Sequence, residues 1–411
     1  MMPAEADADG RPQAPGSGTP GEVFGAFLKL GVTSFGGPIA HLGYLHREFV
    51  QRRGWLDEAH YAHLLAVCQF LPGPASSQLG FALGLLRAGW RGALAAFIAF
   101  TLPSALLMFG FAALAPFLGH GLGAAAVHGL KLVAVVVVAH GLVGMLQRLT
   151  PDAVRASIAA GATALVAITG NPWMQLLAIA LGGLAGRWWC RHLALPDRAD
   201  FTLPYGMRLA GAFLMLYLAG LAGALWMGAA ATPTPQALAA AFYKAGALVF
   251  GGGHVVLPLL KQAVVDTGWL RPDAFLAGYG AAQAVPGPMF SLAAYLGAQV
   301  PLMWPPAAGA ALALLALFLP GFLLLLAALP AWSRVAQHPA AAGAMAGINA
   351  AVVGLLLAAF YDPVWREGVR NGIDFSIAVV GFVLLAAVRL PVGWLLLWCV
   401  AASLIAASVL P

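Results

Sequence analysis

Apolar segments long enough to cross a lipid bilayer recur along this chain, and short polar loops separate them. A transmembrane helix needs about 20 consecutive apolar residues. The clearest segments span residues 94–117, 124–146, 209–226, 307–329 and 394–409. Their length and spacing predict an all-α polytopic membrane protein with the lipid bilayer as its surroundings.

The composition supports this prediction, because 61% of the 411 residues are hydrophobic and only 9% are charged. Soluble domains carry roughly 25% charged residues. The net charge of +6 comes from basic residues scattered over loops, which is typical of topology signals and argues against nucleic-acid binding. Residues 1–21 are rich in Pro, Gly and Ala, so we expect a disordered tail. The three cysteines lie far apart and predict neither disulfides nor a metal site.

Two related halves are visible in the sequence, since motifs of the first half return in the same order in the second. The matches pair Lys29 and Phe35-Gly36-Gly37 with Lys244 and Phe250-Gly251-Gly252, Gly54-Trp55-Leu56 with Gly268-Trp269-Leu270, Gln69 and Pro72-Gly73-Pro74 with Gln283 and Pro286-Gly287-Pro288, and Ser77 with Ser291. We therefore predict a first repeat over residues 22–200, a single linking transmembrane helix within residues 201–232, and a second repeat over residues 233–411.

Loop charges indicate that the two halves have opposite orientations in the membrane. Alternate loops of the first half carry arginine, at Arg87, Arg148 and Arg187. In the second half, Arg334 and Arg389 lie in loops that correspond to uncharged loops of the first. Because loops rich in Lys and Arg stay in the cytoplasm, we expect inverted-topology repeats, an arrangement common in secondary transporters.

The first part of each repeat contains segments too short to span a bilayer. Phe-Gly-Gly and Pro-Gly-Pro interrupt the apolar sequence and leave helices of about 11–14 residues, or roughly 17–21 Å. Broken helices at membrane depth are tolerated where they line a cavity or are buried in protein. We expect either re-entrant hairpins or broken helices that cross fully, followed in each half by four ordinary spans.

These breaks form the candidate substrate-binding site, because half-helix N-termini present free N–H groups and partial positive charge to anions. The candidate residues are Lys29, Phe35, Gly36, Gly37, Pro38, Gln69, Pro72, Gly73, Pro74, Ser76, Ser77, Lys244, Gly251, Gly252, His254, Gln283, Pro286, Gly287, Pro288 and Ser291. The alternative is that the glycine and proline kinks serve helix packing alone.

Lys29 and Lys244 occupy the same repeat position within apolar surroundings. A lysine at mid-membrane costs about 2.5–3.5 kcal/mol, so anion attraction would explain the pair. The alternative is that each ammonium group reaches an interface. Gln69 and Gln283 could donate amide hydrogens to an oxyanion or cap the broken backbone. Lys131 lies in a later span and has no basic counterpart in the second half.

Three titratable side chains near the breaks are candidates for proton coupling, namely His41, Glu48 and His254. No acidic pair sits beside the breaks. Phosphate carries a proton near neutral pH and is best recognised with an acceptor. A site made of N–H, hydroxyl, amide and ammonium donors instead suits a fully deprotonated tetrahedral dianion such as sulfate or chromate.

The duplicated Phe-Gly-Gly, Gly-Trp-Leu and Pro-Gly-Pro motifs resemble those of the long-chain chromate ion transporter family, over essentially the whole chain after the first twenty residues. Gly253 stands where the first copy has Pro38, so the helix start there is less fixed. The resemblance implies an inner-membrane carrier that exports chromate, driven by the proton motive force, and a role in chromate resistance. Some members are thought to act on sulfate.

Several other functions stay open at this point. A carrier for sulfate or a related oxyanion and a passive anion channel both fit the same residues. An integral membrane enzyme is disfavoured, because the sequence holds no paired catalytic carboxylates, zinc-type histidine spacing, nucleophile motif or Walker loop. We expect no catalytic residues, cofactor or metal. The Gly- and Ala-rich spans allow close helix packing, so the sequence is compatible with a homodimer.

Overall fold

The computed structural model describes residues 18–35, 37–118, 121–169, 172–190, 201, 203–228, 232–250, 255–332 and 339–409. Throughout these ranges the regular structure is helical. The predicted fold class, an all-α polytopic membrane protein with two repeats, is confirmed.

The first half contains seven helices in the described ranges. They are α1 (Pro20–Thr33), α2 (Gly37–His46), α3 (Glu58–Phe70), α4 (Ala75–Leu114), α5 (Gly121–Leu149), α6 (Ala153–Thr169) and α7 (Pro172–Trp189). A π-helical turn, Arg47–Arg52, extends α2. Helix α8 (Met207–Met227) follows and connects the halves.

The second half repeats this order of elements. Its helices are α9 (Pro235–Leu248), α10 (Val256–Val264), α11 (Pro272–Ala284), α12 (Leu292–Gln299), α13 (Pro306–Ala328), α14 (Pro339–Ala359), α15 (Gly372–Ala386) and α16 (Val392–Val409). Helices α12 and α13 correspond to the single helix α4. The difference is small, because α4 is itself broken: Ala88 and Gly89 have non-helical dihedral angles, so residues 75–87 form a half-helix before a separate span.

Residues next to the helix ends determine where several of the short helices start. Proline stands at the first positions of α1, α9 and α11, where its missing N–H has no intrahelical partner to lose. Thr19 and Thr234 cap α1 and α9 by accepting a hydrogen bond from a backbone N–H in the first turn. Helices α1 to α3 have 10–14 residues. Together with residues 75–87 of α4 they form the four short helices of the first half, which match the predicted half-helices.

Five helices are long and apolar enough to cross a membrane, namely Ala75–Leu114, Gly121–Leu149, Met207–Met227, Pro306–Ala331 and Ala340–Gly368. Three shorter apolar helices accompany them: Ala153–Thr169, Gly372–Ala386 and Val392–Ser408. Four further helices follow the paired short helices in each half, which is the number expected for ordinary spans: the part of α4 after Gly89 with α5, α6 and α7, and then α13 to α16. The last two helices of each half have 15–18 residues, or about 22–27 Å, which is shorter than a typical 30 Å hydrocarbon core.

The two halves are interleaved rather than side by side. Helix α5 of the first half packs against α15 and α16 of the second, and α14 of the second half packs against α6 and α7 of the first. Glycines make the second contact close: Gly182 and Gly186 of α7 face Gly343 and Gly347 of α14, backbone against backbone. Each long helix therefore completes the packing of the opposite half.

Candidate functional site

The two Pro-Gly-Pro segments are buried turns that only glycine fits comfortably. Gly73 has φ +130° and Gly287 has φ +94°, a region that side chains rarely adopt. Space is also short. A Cβ on Gly73 would lie 3.0 Å from Gly321 Cα, and one on Gly287 would lie 3.1 Å from the Phe100 carbonyl oxygen. Both segments thus bring bare backbone against a helix of the opposite half or repeat.

Reciprocal backbone hydrogen bonds join the breaks of the two halves. The Gly73 N–H donates to the Val249 carbonyl, with an N···O distance of 2.7 Å, and the Gly287 N–H donates to the Ser34 carbonyl at 2.9 Å. Ser34 and Val249 are the residues that directly precede Phe35 and Phe250. Each Pro-Gly-Pro turn therefore binds the end of the first short helix of the other repeat, which gives two crossed pairs of breaks.

Several buried polar groups without a hydrogen-bond partner belong to residues at or beside the two crossed breaks. Within the described part of the chain they include Ser34 Oγ, His41 Nδ1, Ser77 Oγ, Gln78 Oε1, Thr101 Oγ1 and Ser291 Oγ. All six side chains are at most 3% exposed. Buried polar atoms are normally paired, so a cluster of unpaired ones indicates a place where a polar ligand or water supplies the partner.

Gln78 is fixed with its amide oxygen free. Its Nε2 donates to the Pro72 carbonyl at 3.0 Å and to the Gly321 carbonyl at 2.9 Å. These two bonds tie the first Pro-Gly-Pro turn to α13, the span of the other half. Gln78 therefore holds the crossed arrangement in place, and the hydroxyl of the adjacent Ser77 is left available.

His41 is bound to the same carbonyl that receives the Gly287 N–H. Its Nε2 lies 3.1 Å from Ser34 O. Because a carbonyl oxygen can only accept, Nε2 must carry a proton, and this assignment leaves Nδ1 as the atom that changes state. A neutral His41 offers a lone pair at Nδ1, whereas a protonated His41 offers an N–H and a positive charge.

Neither repeated lysine contacts the crossed breaks in the described structure. Lys29 Nζ lies 3.8 Å from Glu48 Oε2, and its side chain is 53% exposed. Lys244 lines a separate cavity of about 150 Å³, together with Gln175, Asp266 and other residues. The two lysines thus occupy equivalent positions on α1 and α9, where neither contacts the Pro-Gly-Pro turns within the described residues.

Glu48 is the centre of an ionic cluster at the end of the first pair of short helices. Arg52 and Arg53 bond its carboxylate at 2.9 and 2.8 Å. Burial alone would raise the pKa of Glu48, but the hydrogen bonds from Arg53 and Arg52 outweigh burial and hold the pKa below its ordinary value. Glu48 is therefore held as a carboxylate.

The sequence of both halves matches a known protein family. A family model described as chromate transporter matches residues 21–187 and, a second time, residues 236–406. The chain belongs to the chromate transporter family. This transporter-family chain is a multi-pass membrane protein, and the double match confirms the repeat.

Relatives of this transporter-family chain carry transport names. A protein named "Probable chromate transport protein" from Synechococcus elongatus is 30% identical over 354 residues, which cover 81% of each chain. A "Chromate transport protein" from Pseudomonas aeruginosa is 28% identical over 83% of this chain and 80% of its own. One of the same name from Cupriavidus metallidurans is 29% identical over 81% and 80%. No solved structure matches significantly.

The remaining predicted site residues are distributed unevenly in this family member. Gln283 is buried and its Nε2 contacts Met289 Sδ at 3.0 Å, whereas Gln69 is exposed. Phe35 is exposed and Ser76 is buried. The other proline residues of the turns, Pro72, Pro74, Pro286 and Pro288, are buried with their glycines. Gly36, Gly251, Gly252 and His254 lie outside the described residues, as does the side chain of Pro38; Gly37 begins α2.

Sequence reasoning missed Ser34, Gln78 and Thr101. The repeat did not single them out, because each differs from its counterpart: Val249 corresponds to Ser34 and Leu292 to Gln78. A different signal was available. Gln78 stands one turn into a half-helix that starts at a Pro-Gly-Pro break, where a long polar side chain in an apolar segment needs a buried partner.

Within the described ranges the site offers mainly neutral donors. No group of three or more His, Cys, Asp or Glu side chains in this part of the chain could hold a metal ion. The crossed breaks instead present hydroxyls, backbone N–H groups and one imidazole. Such groups can stabilise an oxyanion without fixing it covalently.

Proposed function

We propose that the protein is a secondary active transporter that exports chromate across the inner membrane, coupled to the proton motive force. The observation that carries this proposal is the cluster of unpartnered buried hydroxyls at the crossed breaks, with Ser77 and Ser291 at matching repeat positions. The names of the relatives support chromate as the substrate.

The proposed oxyanion site relies on donors and on dipoles. Helices α2 and α4 begin at the first pair of breaks, and their first turns present N–H groups without intrahelical partners. The partial positive charge of a helix N-terminus adds to the hydroxyls of Ser77 and Ser291. A dianion with four acceptor oxygens matches this set, whereas a cation would meet the wrong end of each dipole.

Opposite orientation of the two repeats is part of the proposal, and contacts at the two ends of α4 support it. Arg87 ends the half-helix of residues 75–87, directly before the long part of α4, and pairs with Glu22 at the beginning of α1 at an N···O distance of 3.2 Å. Near the other end of α4, the Ala112 carbonyl accepts from Gln299 at the end of α12, at 2.8 Å. Arg87 and Gln299 end corresponding half-helices, and these two ends lie at opposite ends of the long part of α4, which supports opposite orientations.

His41 is the proposed proton-coupling residue. Protonation at Nδ1 would add a donor and a positive charge beside the crossed breaks, and loss of the proton would remove both. The affinity of the site for the dianion would thus depend on the protonation state of His41. Glu48 is less suited to this role because three cationic side chains hold it ionised, and His254, outside the described residues, is kept as a second candidate.

Uptake into inverted inner-membrane vesicles tests the proposal. Labelled chromate should accumulate against its gradient when a proton gradient is imposed, and accumulation should collapse when an uncoupler removes the gradient. Equilibration without accumulation would identify a passive channel. Accumulation of sulfate in preference to chromate would reassign the substrate, since the two dianions share shape and charge. Absence of both movements in vesicles that contain folded protein would reject transport of this class.

A further inference from the structure

A cavity with a largely apolar lining and several charged side chains, separate from the crossed breaks, lies between the first part of α5 and the start of α11. Its volume is about 410 Å³. The residues that matter for its chemistry are Lys131 from α5, Arg271 and Asp273 at the start of α11, Tyr295 and Gln299 from α12, and Arg370 just before α15. The cavity therefore joins both repeats.

Three cations in this cavity share one carboxylate. Lys131 Nζ hydrogen-bonds Asp273 Oδ1. Arg370 lies 3.5 Å from the same oxygen, and Arg271 lies 3.1 Å from Oδ2. The hydrogen bond from Lys131 holds the pKa of Asp273 below its ordinary value, so the carboxylate is ionised. The lining keeps two uncompensated positive charges.

One neighbouring carboxylate reduces this excess without removing it. Asp374 Oδ1 lies 2.8 Å from His128 Nε2, and the other oxygen of Asp374 accepts the backbone N–H of Arg370 at 3.0 Å. With Asp374 counted beside Asp273, the three cationic side chains still leave one net positive charge at the cavity, and the guanidinium of Arg370 stays directed to Asp273.

Lys131 is the informative residue, because its side chain is only 5% exposed, whereas Arg271 is 84% and Arg370 54% exposed. A buried ammonium group needs a counter-ion. The two exposed arginines attract anions from solution over several ångströms. The two exposed arginines thus lie on the outer side of the cavity and the buried lysine lies inside it. The carboxylate of Asp273 occupies the position that a bound anion would take.

We propose that this cavity is a second oxyanion-binding site, in which a tetrahedral dianion replaces Asp273 as the counter-ion of Lys131. The inference rests on the proposed function for the identity of the anion. Helix α11 connects the two places: Asp273 is in its first turn, and the second Pro-Gly-Pro turn follows its end. The 13 residues of α11 span about 20 Å, so the cavity and the second Pro-Gly-Pro turn lie at opposite ends of one short helix.

Opposite effects of two substitutions test this proposal. Equilibrium binding of radiolabelled chromate and sulfate is measured on purified full-length protein in detergent at low ionic strength. Lys131→Gln should weaken binding about five-fold or more, because the buried charge that binds the anion is gone. Asp273→Asn should strengthen binding about three-fold, because the competing carboxylate is gone. Arg370→Gln should weaken binding and reduce its salt dependence.

A purely structural ion pair predicts a different result. Both substitutions at Lys131 and Asp273 would then lower stability and change anion binding in the same direction or not at all, and either result overturns the proposal. The matched control is the ion pair between Arg155 and Asp152 at the start of α6, with an N···O distance of 2.6 Å. Arg155→Gln and Asp152→Asn should leave anion binding unchanged.

The outcomes for the cavity and for the proposed function are separable. If wild-type vesicles move neither chromate nor sulfate but the opposite effects appear in binding, the export function fails and the second site stands. If vesicles accumulate chromate and Lys131→Gln binds and transports it like the wild type, the export function stands and the second site fails.

Discussion

Single residues at the crossed breaks separate two demands, backbone geometry and ligand chemistry. Gly73 and Gly287 meet the first demand, since their dihedral angles and surroundings leave no place for a side chain. Under the proposed function Ser77 and Ser291 meet the second, since their hydroxyls are buried without a partner. The repeat in the sequence predicted all four positions, because motif spacing survives in both halves. It could not predict which atoms would stay unpaired.

Gly287→Ala should lower the transport rate about tenfold or more. The new Cβ would lie 3.1 Å from the Phe100 carbonyl oxygen and from Ser104 Oγ, and alanine avoids this backbone conformation. Gly43→Ala in α2 is the matched control. Its Cβ would meet nothing within 4 Å, and alanine favours the helix. Vesicle transport and protein abundance should be measured for both. Wild-type transport by Gly287→Ala would contradict the reading of the turn.

Ser77→Ala and Ser291→Ala should separate function from stability. Removing a buried hydroxyl that lacks a protein partner costs the fold little and can stabilise it. Removing a hydrogen bond to a charged ligand costs about 1.5–3 kcal/mol, which is about 10- to 100-fold in affinity. We expect a raised KM for chromate with an unchanged or higher unfolding temperature in detergent. A lowered unfolding temperature with unchanged KM would indicate a packing role.

At the scale of elements, local signals predicted the short helices well and the neighbours of the long helices poorly. Proline, glycine and threonine near helix ends determine where α1, α9 and α11 start, and such signals are readable from the sequence. The ends of α6 and α15 were not predicted, because apolar composition does not report where a helix stops. The exchange of α5 and α14 between halves was also not predictable, since small residues mark a close contact without naming its partner.

Gly347→Val should destabilise the protein by about 1–3 kcal/mol, because a side chain there would collide with the Gly182 carbonyl of α7. Gly161→Val in α6 introduces the same residue into a helix at a position with nothing within 4 Å. The difference between the two unfolding temperatures in detergent isolates the contact from the helix propensity of valine. Equal unfolding temperatures would argue against the close α7–α14 packing.

For the whole molecule, the proposed opposite insertion of the two halves predicts which loops face which compartment. In a variant without its three buried cysteines, Gln51→Cys should react with a membrane-impermeant reagent only in inverted vesicles. Thr232→Cys should react only in right-side-out cells. Both positions are exposed. Gln51 follows the first pair of short helices in the first half, and Thr232 precedes the corresponding pair in the second half. Labelling of both from the same side would refute the inverted arrangement.

The crossed hydrogen bonds of Gly73 and Gly287 also constrain how such a protein could have arisen. Each turn finds its acceptor in the other repeat, and each long helix packs on the other repeat. An ancestral chain of half this length would lack both sets of partners. It would have to pair with a second copy, and with the opposite orientation proposed above that copy would be inserted upside down, so that gene duplication and fusion would join two molecules of opposite topology.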